Sequence, residues 1–478
     1  MPIHPTRHST RFGLAFLCLA LLSTGCAKEK QPNILFIFAD DHSYETIGAM
    51  GMLDIDTPHL DRLMEQGTTF THAYNMGSWT GAVCIASRTM LNTGTSVWRA
   101  PRNRRAFAEH IQKGDTWSQR LRTAGYRTYM TGKWHLPSKV EPLFDVVADV
   151  RPGMPADVPE GYNRPLDEAD YQNGWKPWET QYGGFWEGGA HWSEIIADHA
   201  VDFLACAAKE PDPFFMYLAF NAPHDPRQAP REYVEKYPLE RVEVPTNFLT
   251  KYPYQDEIGC GPELRDARLA PFPRSEYAVK VNRQEYYAII SHMDAQIGRI
   301  LDALEASGKA DNTYIFFTAD HGLAVGHHGL IGKQNMYEHS LRVPFIVVGP
   351  KVKKGATRPQ SIYLQDIMPT TLELAGAEIP ASVEFKSLLP LLQKNKGTHY
   401  EQIYGCYKTD LQRAIISGDH KLVLYPTIPA TRLYNLKTDP EERIDLSDKP
   451  ESAETLKQLR AEFKALQVAL NDPLQIED

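Results

Sequence analysis

Basic residues are in the minority. Lys and Arg total 51 against 60 Asp and Glu, a formal net charge of −9. Binding nucleic acid through its phosphates takes a basic surface, so this balance excludes a general nucleic-acid binder. It leaves room for a small anionic substrate, because a local cluster of cations can outvote the net charge. Cysteine is scarce as well, six in 478 residues. Past the N-terminal segment there remain Cys84, Cys206, Cys260 and Cys406, spaced too widely for a small disulfide framework or a zinc site. Cys206 lies on an apolar stretch and is expected in the core. Internal repeats and low-complexity segments are missing. Beyond the N-terminus no run approaches the roughly 18 apolar residues of a membrane span, which leaves a chain soluble or tethered only at its start.

What is present is a large globular chain. Apolar residues make up 42% and charged residues 23%, which rules out intrinsic disorder. At roughly 100–200 residues per domain the length suits two or more domains, or one large α/β domain with an appendage.

The N-terminus reads as an export signal over residues 1–25. Arg7 and Arg11 form a cationic start, and Phe12 to Leu22 is an apolar run too short to span a membrane. Leu22-Ser23-Thr24-Gly25-Cys26 resembles a bacterial lipoprotein cleavage box with Cys26 as the lipidated residue. Ordinary cleavage near the same place is the alternative. The expectation is an exported bacterial protein, periplasmic or anchored to the outer membrane only through Cys26.

Four apolar runs end in polar chemistry. Asn33 to Phe38 stops at Asp40-Asp41, and Tyr126 to Met130 stops at Gly132-Lys133-Trp134-His135. Phe214 to Phe220 stops at Asn221-Ala222-Pro223-His224, and Tyr314 to Phe317 at Asp320-His321-Gly322. Continuous apolar runs of this length mark strands buried on both faces. Helical segments lie between them. Thr57-Pro58 opens one helix that Gly67 ends, and a long amphipathic one carries Tyr287, Ile290, Met293, Ile297, Leu301 and Leu304. The alternation predicts an α/β fold: a large, mostly parallel sheet sandwiched by helices. In such sheets ligands bind beyond the carboxyl ends of the strands.

Asp40, Asp41 and Asp320 offer hard oxygen ligands, suited to Ca²⁺ or Mg²⁺. If they converge, a cation is expected, because unpaired carboxylates repel. The plain alternative is three solvated acids in loops. His42, His59 and His72 read as ordinary surface or core histidines. His327-His328 fit a supporting pair near the site or a loop equally well. Trp175, Trp178, Tyr182, Trp186, His191 and Trp192, threaded with Gly183-Gly184 and Gly188-Gly189, suit core packing or a sugar-stacking loop.

Cys84-Ile85-Ala86-Ser87-Arg88 followed by Thr93-Gly94 resembles the type I sulfatase signature Cys-x-Pro/Ala-x-Arg with a downstream Thr-Gly. Asp40-Asp41, Gly132 to His135, Ala222-Pro223-His224, Asp320-His321-Gly322 and Gly332-Lys333 follow the same family's order, as does Tyr337 to Pro344. The resemblance runs from about Asn33 to Leu446. It implies a formylglycine-dependent sulfatase of the alkaline-phosphatase-like superfamily, acting on a sulfated saccharide from a polysaccharide. Cys84 would be oxidised to Cα-formylglycine by a formylglycine-generating or an anaerobic sulfatase-maturating enzyme. One hydroxyl of the hydrated aldehyde would attack sulfur, and the second would expel sulfate by elimination. Asp40, Asp41, Asp320 and His321 would ligate Ca²⁺ together with the modified Cys84. Arg88 would orient the diol, and Lys133 and Lys333 would bind sulfate oxygens. His135 would assist the elimination and His224 would protonate the leaving oxygen.

Two positions depart from the commonest pattern. Ala86 stands where many members have Pro, and His321 where many have Asn; nitrogen is an unusual Ca²⁺ partner. Residues 30–380 read as the catalytic domain and 381–478 as an α+β subdomain. In the latter, Ile403 to Cys406, Arg413 to Ser417 and Lys421 to Tyr425 predict an antiparallel sheet, with a helix over Ala453 to Leu470 packed on it. Leu433 to Leu436 with Asp439 to Glu442 resembles the family's C-terminal part. Two other readings compete: a phosphate or phosphonate ester hydrolase of the same superfamily, and a non-catalytic surface glycan-binding protein. The second would not need Cys84, Lys133, His224 and Lys333 together.

Overall fold

The computed structural model describes residues 1–5, 30–155, 158–162, 165–394, 396–474 and 476. Arg7, Arg11, the run Phe12 to Leu22 and Cys26, which carry the export reading, lie outside them. The chain divides into two units, Met1–Gln31 and Pro32–Asp478. All the described strands and helices belong to the second unit.

The strands, in chain order, are β1 (Asn33–Ala39), β2 (Thr68–Tyr74), β3 (Gly77–Ser78), β4 (Arg127–Lys133), β5 (Val146–Arg151), β6 (Phe214–Ala219) and β7 (Thr313–Ala319). They continue as β8 (Arg342–Val343), β9 (Phe345–Val348), β10 (Ala356–Tyr363), β11 (Gln402–Tyr407), β12 (Gln412–Ser417), β13 (His420–Tyr425) and β14 (Ala430–Asn435). The large sheet runs β10-β2-β9-β7-β1-β6-β4-β5, with β8 beside β2. β1 lies parallel between β6 and β7, and β4 lies parallel between β5 and β6. β9 breaks the pattern, running antiparallel to both β7 and β2. The fold is therefore the expected mostly parallel sheet with a mixed edge.

Every residue of β1 is buried, so both faces of the sheet are covered. Trp117, at the start of the helix Trp117–Thr123, sets its ring against Phe36, Phe215 and Tyr217. The long helix extends over Glu276–Ala306 and packs with Trp192–Ala207 and Pro58–Gln66. Thr57 precedes that last helix as expected, but its hydroxyl donates to Asp61 and accepts from Gly48 N instead of capping a helix amide. The helix's free amides are met from outside, because Asp294 accepts from His59 N at 3.1 Å and Leu60 N at 2.7 Å.

The smaller sheet runs β14-β13-β12-β11-β3. Its last four strands in sequence are antiparallel, and β11 recruits Gly77–Ser78 in parallel from the other part of the chain. The helix Ala453–Leu470 packs on it, with Phe463 stacked on Tyr404.

One expectation is corrected. Cys206 is exposed: on Trp192–Ala207 it falls on the outer face, while Phe203, Leu204 and Ala207 face inward. In the tryptophan-rich stretch, packing accounts for much of the aromatic content. Trp175, His191 and Trp192 are buried, and Trp186 and Trp192 donate their indole N–H to backbone carbonyls. His42 is buried and bonds the Thr46 carbonyl, an ordinary core histidine.

Candidate active site

Four neighbouring parallel strands, in the order β7-β1-β6-β4, end at one edge of the large sheet. That edge receives Asp320-His321 from β7, Asp40-Asp41 from β1, His224 from the turn after β6, and Lys133 with His135 from β4. The helix Val83–Thr93 begins beside them and carries Cys84 and Arg88 in its first two turns. Lys333 arrives from the loop between β7 and β8. The backbone is shaped for this. Asp41 and His135 have φ of 68° and 51°, the left-handed region that costs a non-glycine residue energy and turns the chain sharply. Gly132, at φ 93°, lies so close to the β6 backbone that a Cβ would meet the Ala219 carbonyl. A Cβ on Gly153 would sit 2.6 Å from the His135 ring.

Cys84 is at the centre. Its Sγ lies 3.2 Å from Asp40 Oδ1, 3.6 Å from Asp41 Oδ1 and 2.8 Å from Lys333 Nζ. Lys333 Nζ also donates to both oxygens of Asp41 at 2.6 Å. Lys133 Nζ pairs with Asp40 Oδ2. Arg88 donates from Nε to Asp320 Oδ2 at 2.9 Å and from Nη1 to the Lys133 carbonyl at 2.8 Å. Asp320 Oδ1 accepts from the Asp41 amide at 3.1 Å. His224 turns Nδ1 to Asp225 and holds Nε2 3.7 Å from Asp41 Oδ2.

The charges are crowded. Burial and the Asp320 charge push the Asp40 carboxyl up to about 6, against the pull of Lys133. Burial raises Asp41 too, but Lys333 and His224 outweigh it and hold it below the usual range. Burial alone would lower Lys333; Asp41 and Cys84 hold it well above its ordinary value. Burial, then Lys133 and Arg88, take His135 down to about 2.

Ligand atoms of Asp40, Asp41, Cys84 and Asp320 all lie within 4.8 Å of one another, every one buried. The three carboxylates of this group fit a hard cation, which would relieve the repulsion from Asp320 that adds to burial in raising Asp40. His321, expected to join it, is outside that group. Its Nδ1 bonds the Gly322 carbonyl, and its buried Nε2 has no hydrogen-bond partner.

A cavity of about 790 Å³ opens over the cluster. Cys84, His135, His224 and Lys333 line it, whereas Asp40, Asp41, Arg88, Lys133, Asp320 and His321 lie beneath. Its walls were not foreseen: Asp256, Gly259 and the run Gly261 to Asp266, with Tyr407-Lys408 at the end of β11. The aromatic stretch Trp175 to Trp192 does not line it. His327 and His328 are buried away from it, bonded to Glu45 and Asn247. Such an arrangement can hold a tetrahedral anion against cations at the floor and leave room for a larger organic group above.

The family model described as Sulfatase matches residues 32–377, most of the chain. This chain belongs to the sulfatase family. It is a sulfuric ester hydrolase. A second model, the C-terminal part of N-sulphoglucosamine sulphohydrolase, matches residues 326–469. The sulfatase is 29% identical over 472 residues to an arylsulfatase of Clostridium perfringens, covering 90% of this chain and 93% of that one. It is 27% identical to an N-acetylglucosamine-6-O-sulfatase of Bacteroides thetaiotaomicron, covering 93% and 88%. Its fold resembles that of a protein solved with its substrate D-glucosamine-2-N,6-O-disulfate (TM-score 0.70, 23% identity, 93% of this chain and 99% of that one). It also resembles a phosphonate monoester hydrolase from Silicibacter pomeroyi (TM-score 0.70, 20% identity, 92% and 96%).

Proposed function

We propose that this sulfatase is an exported bacterial enzyme that removes sulfate from a saccharide, with Cys84 matured to Cα-formylglycine and Ca²⁺ held by Asp40, Asp41 and Asp320. The observation that carries the reading is the position of Cys84 Sγ, within 3.6 Å of Asp40, Asp41 and Lys333 at the floor of the cavity. When present, the ion would neutralise sulfate oxygens and the hydrated formyl group would supply the attacking hydroxyl. The chain's own residues do the rest. Lys333 and Lys133 stabilise charge on the sulfate oxygens, and Arg88 orients position 84. His224 gives its Nε2 proton to the leaving sugar oxygen as the S–O bond breaks. His135, kept neutral by burial and its cationic neighbours, offers an unprotonated ring nitrogen as a hydrogen-bond acceptor during the elimination. A maturating enzyme is the required partner, and a lipid anchor at Cys26 would supply the membrane contact. The division falls between a catalytic part over 30–380 and a C-terminal part over 381–478.

The saccharide is favoured by the cavity's size and mixed polar walls, and by what the Bacteroides relative is named for. The fold likeness to a phosphonate monoester hydrolase keeps phosphate and phosphonate esters as a second reading, because paired lysines suit tetrahedral oxyanions generally. A matched pair, glucosamine 6-sulfate and glucosamine 6-phosphate, tests both. The sulfate should be turned over at least tenfold faster, and chelation should abolish it until Ca²⁺, rather than Zn²⁺, is restored. Preference for the phosphate, or full activity after exhaustive demetallation, would overturn the reading.

A further inference from the structure

The residue after His224 is built into a frame of its own. His224 Nδ1 lies 2.9 Å from the Asp225 carbonyl and 3.0 Å from Asp225 Oδ1. Both are acceptors, so Nδ1 carries a proton, and Nε2 is left as the nitrogen on the side of Asp41. Asp225 is 3% exposed, yet two distant segments reach it. Arg265 Nη2, from the short helix Arg265–Leu269, approaches Oδ1 at 3.1 Å. The Tyr162 hydroxyl, from Pro159–Tyr162, bonds Oδ2. Arg265 is held in turn by Asp266 at 2.8 Å and itself lines the substrate cavity. A carboxylate that only closed the local turn would need neither.

We propose that Asp225 is the positioning residue for His224. It fixes the imidazole with Nδ1 protonated and Nε2 toward the leaving oxygen, and it stabilises the ring while it holds the transferable proton. Arg265 and Tyr162 lock Asp225 in place. This rests on the reading of His224 as the proton donor. A purely structural Asp225 would affect every substrate alike. A positioning residue matters only when the leaving group needs a proton.

The test uses matured full-length enzyme with phenyl sulfate and 4-nitrophenyl sulfate, esters of a poor and a good leaving group. Asp225→Asn keeps the shape and removes the charge. Its kcat on phenyl sulfate should fall about 100-fold, at the low end for a general acid, with KM within about threefold. On 4-nitrophenyl sulfate the loss should stay below about tenfold. Adding His224→Ala to Asp225→Asn should cost little more, because the two act as a unit. Tyr162→Phe should show the same selectivity, weaker. Independently of turnover, ¹⁵N-histidine NMR should report His224 Nδ1 as a protonated, strongly hydrogen-bonded nitrogen in the parent, with that bond weakened in Asp225→Asn. Equal losses on both esters, additive losses, or an unchanged Nδ1 signal would overturn the inference. If His224→Ala alone is unselective, the proton-donor reading fails with it. If His224→Ala is selective and Asp225→Asn is not, only this inference fails.

Discussion

Cys84 as an unmodified thiol is poorly suited to the proposed reaction. Burial, Asp320 and Asp40 hold its thiol well above the usual value, so an unmodified Cys84 is a neutral, weak nucleophile at pH 7. Lys333 touches both Cys84 and Asp41, and it lines the cavity where the sulfate must sit. Its role is tied to the group that every substrate shares. Lys333→Ala should therefore lower kcat/KM by at least about 100-fold on phenyl and 4-nitrophenyl sulfate alike, in the range of a lost oxyanion donor. A loss confined to phenyl sulfate would instead make Lys333 the proton source. Asp40, Asp41, Lys133, His135, His224, Asp320 and His321 were legible because each follows an apolar run that reads as a buried strand, whereas Cys84, Arg88 and Lys333 were read from the family resemblance. Asp225 and Arg265 were legible by neither route. Asp225 directly follows Pro223-His224 with no pattern of its own to single it out, and Arg265 reaches it from 40 residues away in the chain.

Among the elements, the strongest patterns were read nearly to the residue. β1, β6 and β7 are continuous apolar runs, and the helix Ala453–Leu470 falls on its expected bounds. β2 (TTFTHAY) and β10 (ATRPQSIY) pair at the sheet's edge and mix polar residues and a proline into the run, so they carry no strand signal. Cys206 shows the limit of composition: the apolar stretch was real, but the helical period turns that one position outward. The junction of Pro58–Gln66 with the long helix gives a test. Burial pushes the Asp294 carboxyl up to about 7, above its unfolded value, while it caps two free amides. A raised carboxyl binds its proton in the folded state. Its contribution is therefore full below about pH 4 and is lost as pH rises through 7. Asp294→Ala should cost about 1–2 kcal/mol at pH 5 and less at pH 8 in urea unfolding, with the leaving-group dependence of turnover unchanged. A larger cost at pH 8 would mean that the charged cap dominates.

At the scale of the whole fold, the smaller sheet is tied to the rest of the chain by a second core and by buried polar pairs. Lys421 of β13, fully buried, pairs with Glu338 at 3.1 Å and Glu442 at 2.8 Å. Tyr252, buried in the catalytic part, shares its hydroxyl with Tyr337 at 2.9 Å and Tyr425 at 2.8 Å. Removing one side leaves buried charge and hydroxyls unpaired, which is costly. Residues 30–380 expressed alone should be insoluble or melt without a cooperative transition, and would lack Tyr407 and Lys408 from the cavity wall. A soluble, active fragment would show that the C-terminal part is dispensable.

Everything proposed for the reaction depends on position 84 being converted before the enzyme works. Tryptic peptide mass spectrometry on active protein reads that conversion. The peptide bearing residue 84 should carry an aldehyde in place of the thiol, in proportion to specific activity across preparations made with and without a maturating enzyme. Full activity in a preparation whose Cys84 is entirely unmodified thiol would contradict the mechanism.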